Sequence, residues 1–172
     1  YAERGAYYAY LAESSSDLDQ QISWYEKAEA DFTRALALDK NNNSALEGKQ
    51  KVTALLTPLK QEKIQRDKKE AAVKSLRAQW LTGKPQVILK GYADLITQYS
   101  EESFPHREQG EYYVHCAEKV GVKIQQINFY EKAQSSFKNA LTCDGFDEVA
   151  GQRHEQVTEA LAELNSQSGK QA

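Results

Sequence analysis

Gln20-Gln21-Ile22-Ser23-Trp24-Tyr25-Glu26-Lys27-Ala28, running on through Phe32 to Ala35-Leu36, is the stretch that decides the fold, because the chain contains it twice. At an offset of 105 residues it reads Gln125-Gln126-Ile127-Asn128-Phe129-Tyr130-Glu131-Lys132-Ala133, then Phe137, then Ala140-Leu141. The correspondence extends from Gly5, Tyr7 and Tyr8 against Gly110, Tyr112 and Tyr113 to Val52-Thr53 against Val157-Thr158. Without gaps from Gly5 to Leu59, roughly 21 of 55 positions are identical, which internal duplication explains and chance does not.

Inside the repeated stretch the spacing is helical. Ala28, Phe32, Ala35-Leu36 and Leu38 recur three or four apart and line one face of a 3.6-period helix. Small residues at 28 and 35 allow a second helix to come close, with Phe32 filling the gap between them. Ala-x3-Phe-x2-Ala-Leu-x-Leu-Asp followed by Asn-rich turn residues resembles the second helix and exit turn of a tetratricopeptide repeat. Gly5-x-x-Tyr8 and Gly110-x-x-Tyr113 resemble the Gly and Tyr of that repeat's first helix. The likeness covers residues 2–45 and 107–150. It implies an all-α fold of helical hairpins, and the uninterrupted helical pattern between the two copies makes them two similar lobes joined by one long helix.

Two departures accompany the resemblance. The family's unit of about 34 residues leaves about eleven too few for the segment between Tyr8 and Ala28, and both copies carry the same excess. Three extra helical turns would absorb it. The proline that usually follows the second helix is replaced by Lys40 and Gly145.

At 172 residues the chain is long enough for one or two domains with a genuine core. Its aromatic content is mostly Tyr, with few Pro and scattered Gly, which suits short turns between helices. A net charge of −3 argues against a broad basic face for nucleic acid. No run approaches the ~20 apolar residues of a membrane span, so direct membrane insertion is not expected. No signal peptide is visible, and the absence of Met predicts that Tyr1 is not a natural start and that the segment belongs to a longer polypeptide. Cys116 and Cys143 align with Leu11 and Leu38, and read as two small buried hydrophobes; a disulfide is the alternative.

In chain order, the pattern predicts a first helix over 2–14 and a break at Ser14-Ser15-Ser16-Asp17. Asp17 and Gln20 then form a capping box for a helix running to Leu38. Asp39-Lys40-Asn41-Asn42-Asn43 is a turn, and Asn43 or Ser44 caps a third helix that extends to about Leu81. The middle of that helix, Lys60 to Glu70, holds one apolar residue and reads as a solvent-bridging helix, supported by a Glu62–Arg66 pair and kinked at Pro58. Its Lys run has a second reading, contact with an anionic surface. Thr82-Gly83-Lys84-Pro85 ends it. A helix over 86–99 follows, then a turn at Glu101–Pro105, helices to Lys119 and over 123–142, and a last helix over 147–165. Residues 166–172 read as a polar tail. The domain organisation expected is 1–59 as the first lobe, 60–84 as the connecting part of the long helix, and 85–172 as the second lobe.

Catalytic chemistry finds no foothold. His106 and His115 are nine apart, on opposite sides of a helix, and His154 is remote. No Cys-x-x-Cys or His-x3-His spacing, Gly-rich phosphate loop or nucleophile elbow is present. No enzyme activity, cofactor or metal is expected. Tyr7, Tyr8, Tyr10, Trp24 and Tyr25, mirrored by Tyr112, Tyr113, Phe129 and Tyr130, read mostly as core, with Tyr10 facing outward.

The family resemblance implies a groove lined by the first helix of each hairpin. Those positions are Ala2, Ala6, Ala9 and Tyr10 in the first copy, and Arg107, Glu111, Val114 and His115 in the second. Relatives that grip a peptide's C-terminal carboxylate place Lys and Asn at two of them; Ala2, Ala6, Arg107 and Glu111 do not meet that pattern. The expected partner is a protein or peptide, held through Ala6, Tyr10, Arg107, Glu111 and His115. An intrahelical Arg107–Glu111 pair serving only solubility is the alternative for those two residues. For the whole chain the alternative is a structural spacer or oligomerisation element, and a helical enzyme or small-ligand domain is a third class.

Overall fold

Short turns, most of them polar, divide the chain into helices. The computed structural model describes residues 1–168, which form α1 (Ala2–Glu13), α2 (Leu18–Leu38), α3 (Asn43–Ala78), α4 (Pro85–Gln98), α5 (Phe104–Lys119), α6 (Lys123–Cys143) and α7 (Glu148–Ser168). Asp17 caps α2 by accepting the Gln20 N–H at 2.7 Å, as its sequence position suggests. The cap of α3 is Asn42, whose Oδ1 accepts the Ala45 N–H at 2.9 Å, not Asn43 or Ser44. α3 remains α-helical through Pro58 and ends at Ala78, three residues short of Leu81. α7 continues to Ser168, beyond the expected 165, and the rest of the expected tail lies outside the described residues.

The chain divides into two compact units, residues 1–71 and 72–172, with the boundary inside α3. In the first unit α1 and α2 pair antiparallel and the N-terminal part of α3 closes over them. Ala28, Phe32, Ala35, Ala45, Val52 and Leu56 are buried at the junction. In the second unit α5, α6 and α7 bury the residues 105 positions on: Ala133, Phe137, Ala140, Ala150, Val157 and Leu161.

The duplication reaches the hydrogen bonds. Asp39 and Asp144 each accept a backbone N–H two residues on, from Asn41 and Phe146. Asp147, the counterpart of Asn42, caps α7 through the Ala150 N–H at 2.9 Å. Gln21 donates to the Ser15 carbonyl, as Gln126 does to that of Val120. Thr53 meets Glu29 on the neighbouring helix, and Thr158 meets Gln134. One half-buried pair has changed chemistry without losing its partner. Asp31 is held by the Arg4 guanidinium, and at the same two positions Ser136 donates to Gln109. A charge that leaves both sides of a contact together leaves no orphaned group behind.

The extra length between Tyr8 and Ala28 lies largely in α2, whose residues 18–27 precede Ala28. That extension engages the polar middle of α3. Lys60 pairs with Glu26 at 2.8 Å, and Lys63 and Arg66 both reach Asp19, where their hydrogen bonds hold the carboxyl below its usual range. The segment is helical and mostly exposed, as expected, but it is laced to α2. Arg66 turns to Asp19 on α2. Such exposed pairs add little stability and weaken with salt.

Glycine sets how closely the helices approach. A Cβ built on Gly5 would lie 3.0 Å from the Phe32 ring, one on Gly110 would lie 2.7 Å from Phe137, and one on Gly48 would lie 2.5 Å from Phe32 Cζ. Phe32 is thus enclosed by two glycines and cannot swing aside from both. Gly48→Ala should destabilise by about 1–3 kcal/mol through overpacking, in spite of alanine's better helix propensity. Gly151 in α7 meets nothing within 4 Å, and Gly151→Ala should instead stabilise by about 0.5–1 kcal/mol. Urea melts of the two variants would show opposite shifts; a Gly48→Ala midpoint at or above the parent's would contradict this packing.

Candidate functional site

α1 turns Gly5, Tyr8 and Ala12 toward its own unit and leaves Glu3, Ala6, Tyr7 and Tyr10 exposed. Their spacing places the four on one helical face. Tyr8 stacks on Trp24 with ring centroids 5.7 Å apart, and Lys27 sits 3.9 Å above the indole, so that aromatic pair belongs to the fold. Tyr7 and Tyr10 do not: they are 58% and 63% exposed. The expectation that Tyr7 is core is therefore corrected, while Tyr10 faces outward as expected. Ala6 lies beside them, and Ala2 and Ala9 are half-buried.

The same four positions of α5 are Glu108, Glu111, Tyr112 and His115; within the second unit Glu108 and Tyr112 are buried and Glu111 and His115 half-buried. The last turn of α3, the turn that follows it and α4 supply part of that cover. Arg77 donates twice to the Glu108 carboxylate, at 2.7 and 2.9 Å, a bidentate fork. Three residues later, Trp80 lies 5.8 Å from the Tyr112 ring and 5.2 Å from His115, and its indole N–H donates to Tyr92 at 3.0 Å. Tyr112 is 3% exposed, against 58% for its counterpart Tyr7. Burial pushes the Tyr112 hydroxyl well above its ordinary pKa and that of Tyr92 up to about 12. The Cys116 thiol is likewise raised by burial, and both cysteines are free and half-buried. Leu38, read as part of an apolar face, is exposed in the first unit.

The expected site residues of the second copy are thus engaged by other helices. Arg107 donates to Asp147 at 2.7 Å, and Glu111 receives the Arg153 guanidinium. The intrahelical Arg107–Glu111 pair gives way to two pairs reaching α7. The structure brings Ala6 and Tyr10 together on one exposed face, and separates them in character from Arg107, Glu111 and His115. Glu3 and Tyr7 are the members of the face that sequence reasoning missed. The signal lay in the aromatic and apolar residues 73–99, adjacent to the second copy, which distinguish the surroundings of two otherwise matching helices.

A second surface feature is a shallow groove of about 560 Å³ over α2 and α3, lined by Leu36, Leu46, Thr53 and Ala54 among others. Its counterpart over α6 and α7 is polar, with Gln134, Lys138 and His154. Among the described residues no group of three or more His, Cys, Asp or Glu is placed to hold a metal ion, and no helix is long and apolar enough to cross a membrane.

The fold defines the class only broadly: an all-α protein with seven helices among the described residues, packed as antiparallel pairs. No protein-family model, curated protein or solved structure matches the chain.

Proposed function

We propose that the chain is a non-catalytic interaction module of tetratricopeptide-like helical hairpins, binding a protein or peptide partner on the exposed face of α1. The observation that carries this reading is the contrast between Tyr7 and Tyr10, both exposed, and, at the duplicate positions, Tyr112, which is buried, and His115, which is half-buried. Adjacent exposed tyrosines offer large apolar area at low conformational cost, and aromatic residues dominate binding hot spots. Glycine against Phe32 and Phe137 supports the hairpin assignment. The spacer reading draws on the continuity of α3 over 36 residues and on its ion pairs to α2.

A photo-crosslinking residue placed at position 10 of the full chain, and in a second version at exposed Gln61, separates the two readings. In extracts of the native source, adducts should form from position 10 and be suppressed by Tyr7→Ser, with an unchanged melting curve. Equal labelling from both positions, insensitive to Tyr7, would favour the spacer.

A further inference from the structure

We infer that the α1 face receives a segment bearing an arginine in the last turn of a helix and, three residues later in the turn that follows, an aromatic side chain: the guanidinium pairs with Glu3 and the ring covers Tyr7 and Tyr10. This rests on the interaction reading above and adds the chemistry of the partner. The argument is the duplication itself. α5 matches α1, and on α5 the occupant of this face is visible. There Arg77 forks onto Glu108, Trp80 lies across Tyr112 and His115, and Leu76 and α4 seal the edge with Ile88 and Tyr92.

The first unit keeps the receiving groups. Glu3 stands where Glu108 stands, Tyr7 where Tyr112 stands, and Tyr10 offers a ring in place of the His115 imidazole. The neighbouring cation cannot take the arginine's place, because Arg4 is committed to Asp31. What has changed has changed in pairs. Glu111 and its partner Arg153 are replaced by Ala6 and Gly48, so no charge is stranded and the strip beside the tyrosines is small and apolar. A planar fork suits the Glu3 carboxylate better than a lysine ammonium does, and arginine also lies well over an aromatic ring, as Arg77 does over Trp80 at 5.6 Å. The occupant is therefore an amphipathic segment of that chemistry other than residues 72–99, which are seated on α5.

The probe is a synthetic, fluorophore-labelled peptide of residues 72–99, titrated by anisotropy against the full chain. Binding should weaken at least about tenfold on Tyr7→Ser in the chain, and as much on Arg77→Gln or Trp80→Ala in the peptide. Glu3→Arg in the chain should abolish binding, and Arg77→Glu in the peptide should restore it. Circular dichroism melts keep folding defects apart from binding defects, since Glu3 and Tyr7 lie on the surface. Binding indifferent to Glu3 and Tyr7 would mean that the peptide merely displaces its own copy on α5, and overturns the inference. Absence of binding while position-10 adducts persist would leave α1 as an interaction surface and reject this partner chemistry; loss of both rejects the underlying reading. A concentration-dependent doubling of mass, removed by Tyr7→Ser, would assign the face to a second copy of the chain and equally overturn the inference.

Discussion

Phe137→Ala should lower the stability of the second unit by about 3–5 kcal/mol in denaturant melts, and Phe32→Ala should do the same in the first. Phe137 is 0% exposed and packs with Val114, Val157 and Leu161, while its ring lies so near the α5 backbone that only glycine fits at position 110. Deleting the ring removes its transfer energy and leaves a cavity between three helices. That cavity closes poorly. Each helix is held in place by its turns and by bonds such as Gln134 to Thr158, so the backbone cannot follow the missing ring inward. Phe32 lies between Gly5 and Gly48, with two backbones pressed against it, which puts it at the upper end of the range. Phe→Leu at either position should recover much of the loss, since most of the volume returns. A cost below about 1 kcal/mol for either alanine variant would show that the ring is not the centre of its unit.

Those phenylalanines were legible in sequence because periodicity reports burial between paired helices. Ala28, Phe32 and Ala35 recur at helical spacing, recur again 105 residues later, and are buried in both units. The helix order was equally legible from Asp17, Asn-rich and Gly-Pro turn chemistry. The surface was not. Tyr7 and Tyr112 are the same residue in the same local context, and their opposite burial depends on Trp80 and α4, which are far from Tyr7 in sequence. Local pattern cannot distinguish a helix face that has a cover from one that lacks it. Arg107 and Glu111 illustrate the same limit. Spacing made them look like neighbours of each other, yet both find better partners on α7, Asp147 and Arg153, which are already buried or half-buried. A buried carboxylate needs compensation more than an exposed pair gains from contact, so the long-range pairs win. The cap of α3 is one or two residues before the expected Asn43 or Ser44 for a simpler reason: the consecutive Asn and Ser residues are each able to cap, and the chain's path selects Asn42.

Asp147→Ala should destabilise by about 2–4 kcal/mol, the sum of a lost helix cap and of polar partners left without their acceptor. One oxygen of Asp147 accepts the Ala150 N–H at 2.9 Å, and the other accepts both Ser103 Oγ and Arg107 Nη1 at 2.7 Å. Asp147→Asn separates the two roles. Asn42 performs the same capping at the start of α3, so asparagine at 147 should keep the cap and lose the charge-assisted part, at about 1 kcal/mol. The acid side of the stability profile adds an independent check. Burial alone would raise the Asp147 carboxyl, but the Ala150 N–H, the Ser103 hydroxyl and the Arg107 guanidinium together outweigh it and hold the group below the usual carboxylate range. A carboxyl depressed by folding contributes stability that is complete above its unfolded pKa, near pH 4, and is lost as pH falls through the lower folded value. Asp147→Asn has no such proton to take up. The gap between parent and Asp147→Asn in urea midpoint should therefore be widest at pH 5–7 and should narrow steadily below about pH 4. The parent keeps a remaining acid slope, because Asp31, hydrogen-bonded by Arg4, is depressed as well. Equal gaps at pH 6 and pH 3, or an asparagine variant as unstable as the alanine one, would show that the charge of Asp147 is not what Arg107 and Ser103 are arranged around.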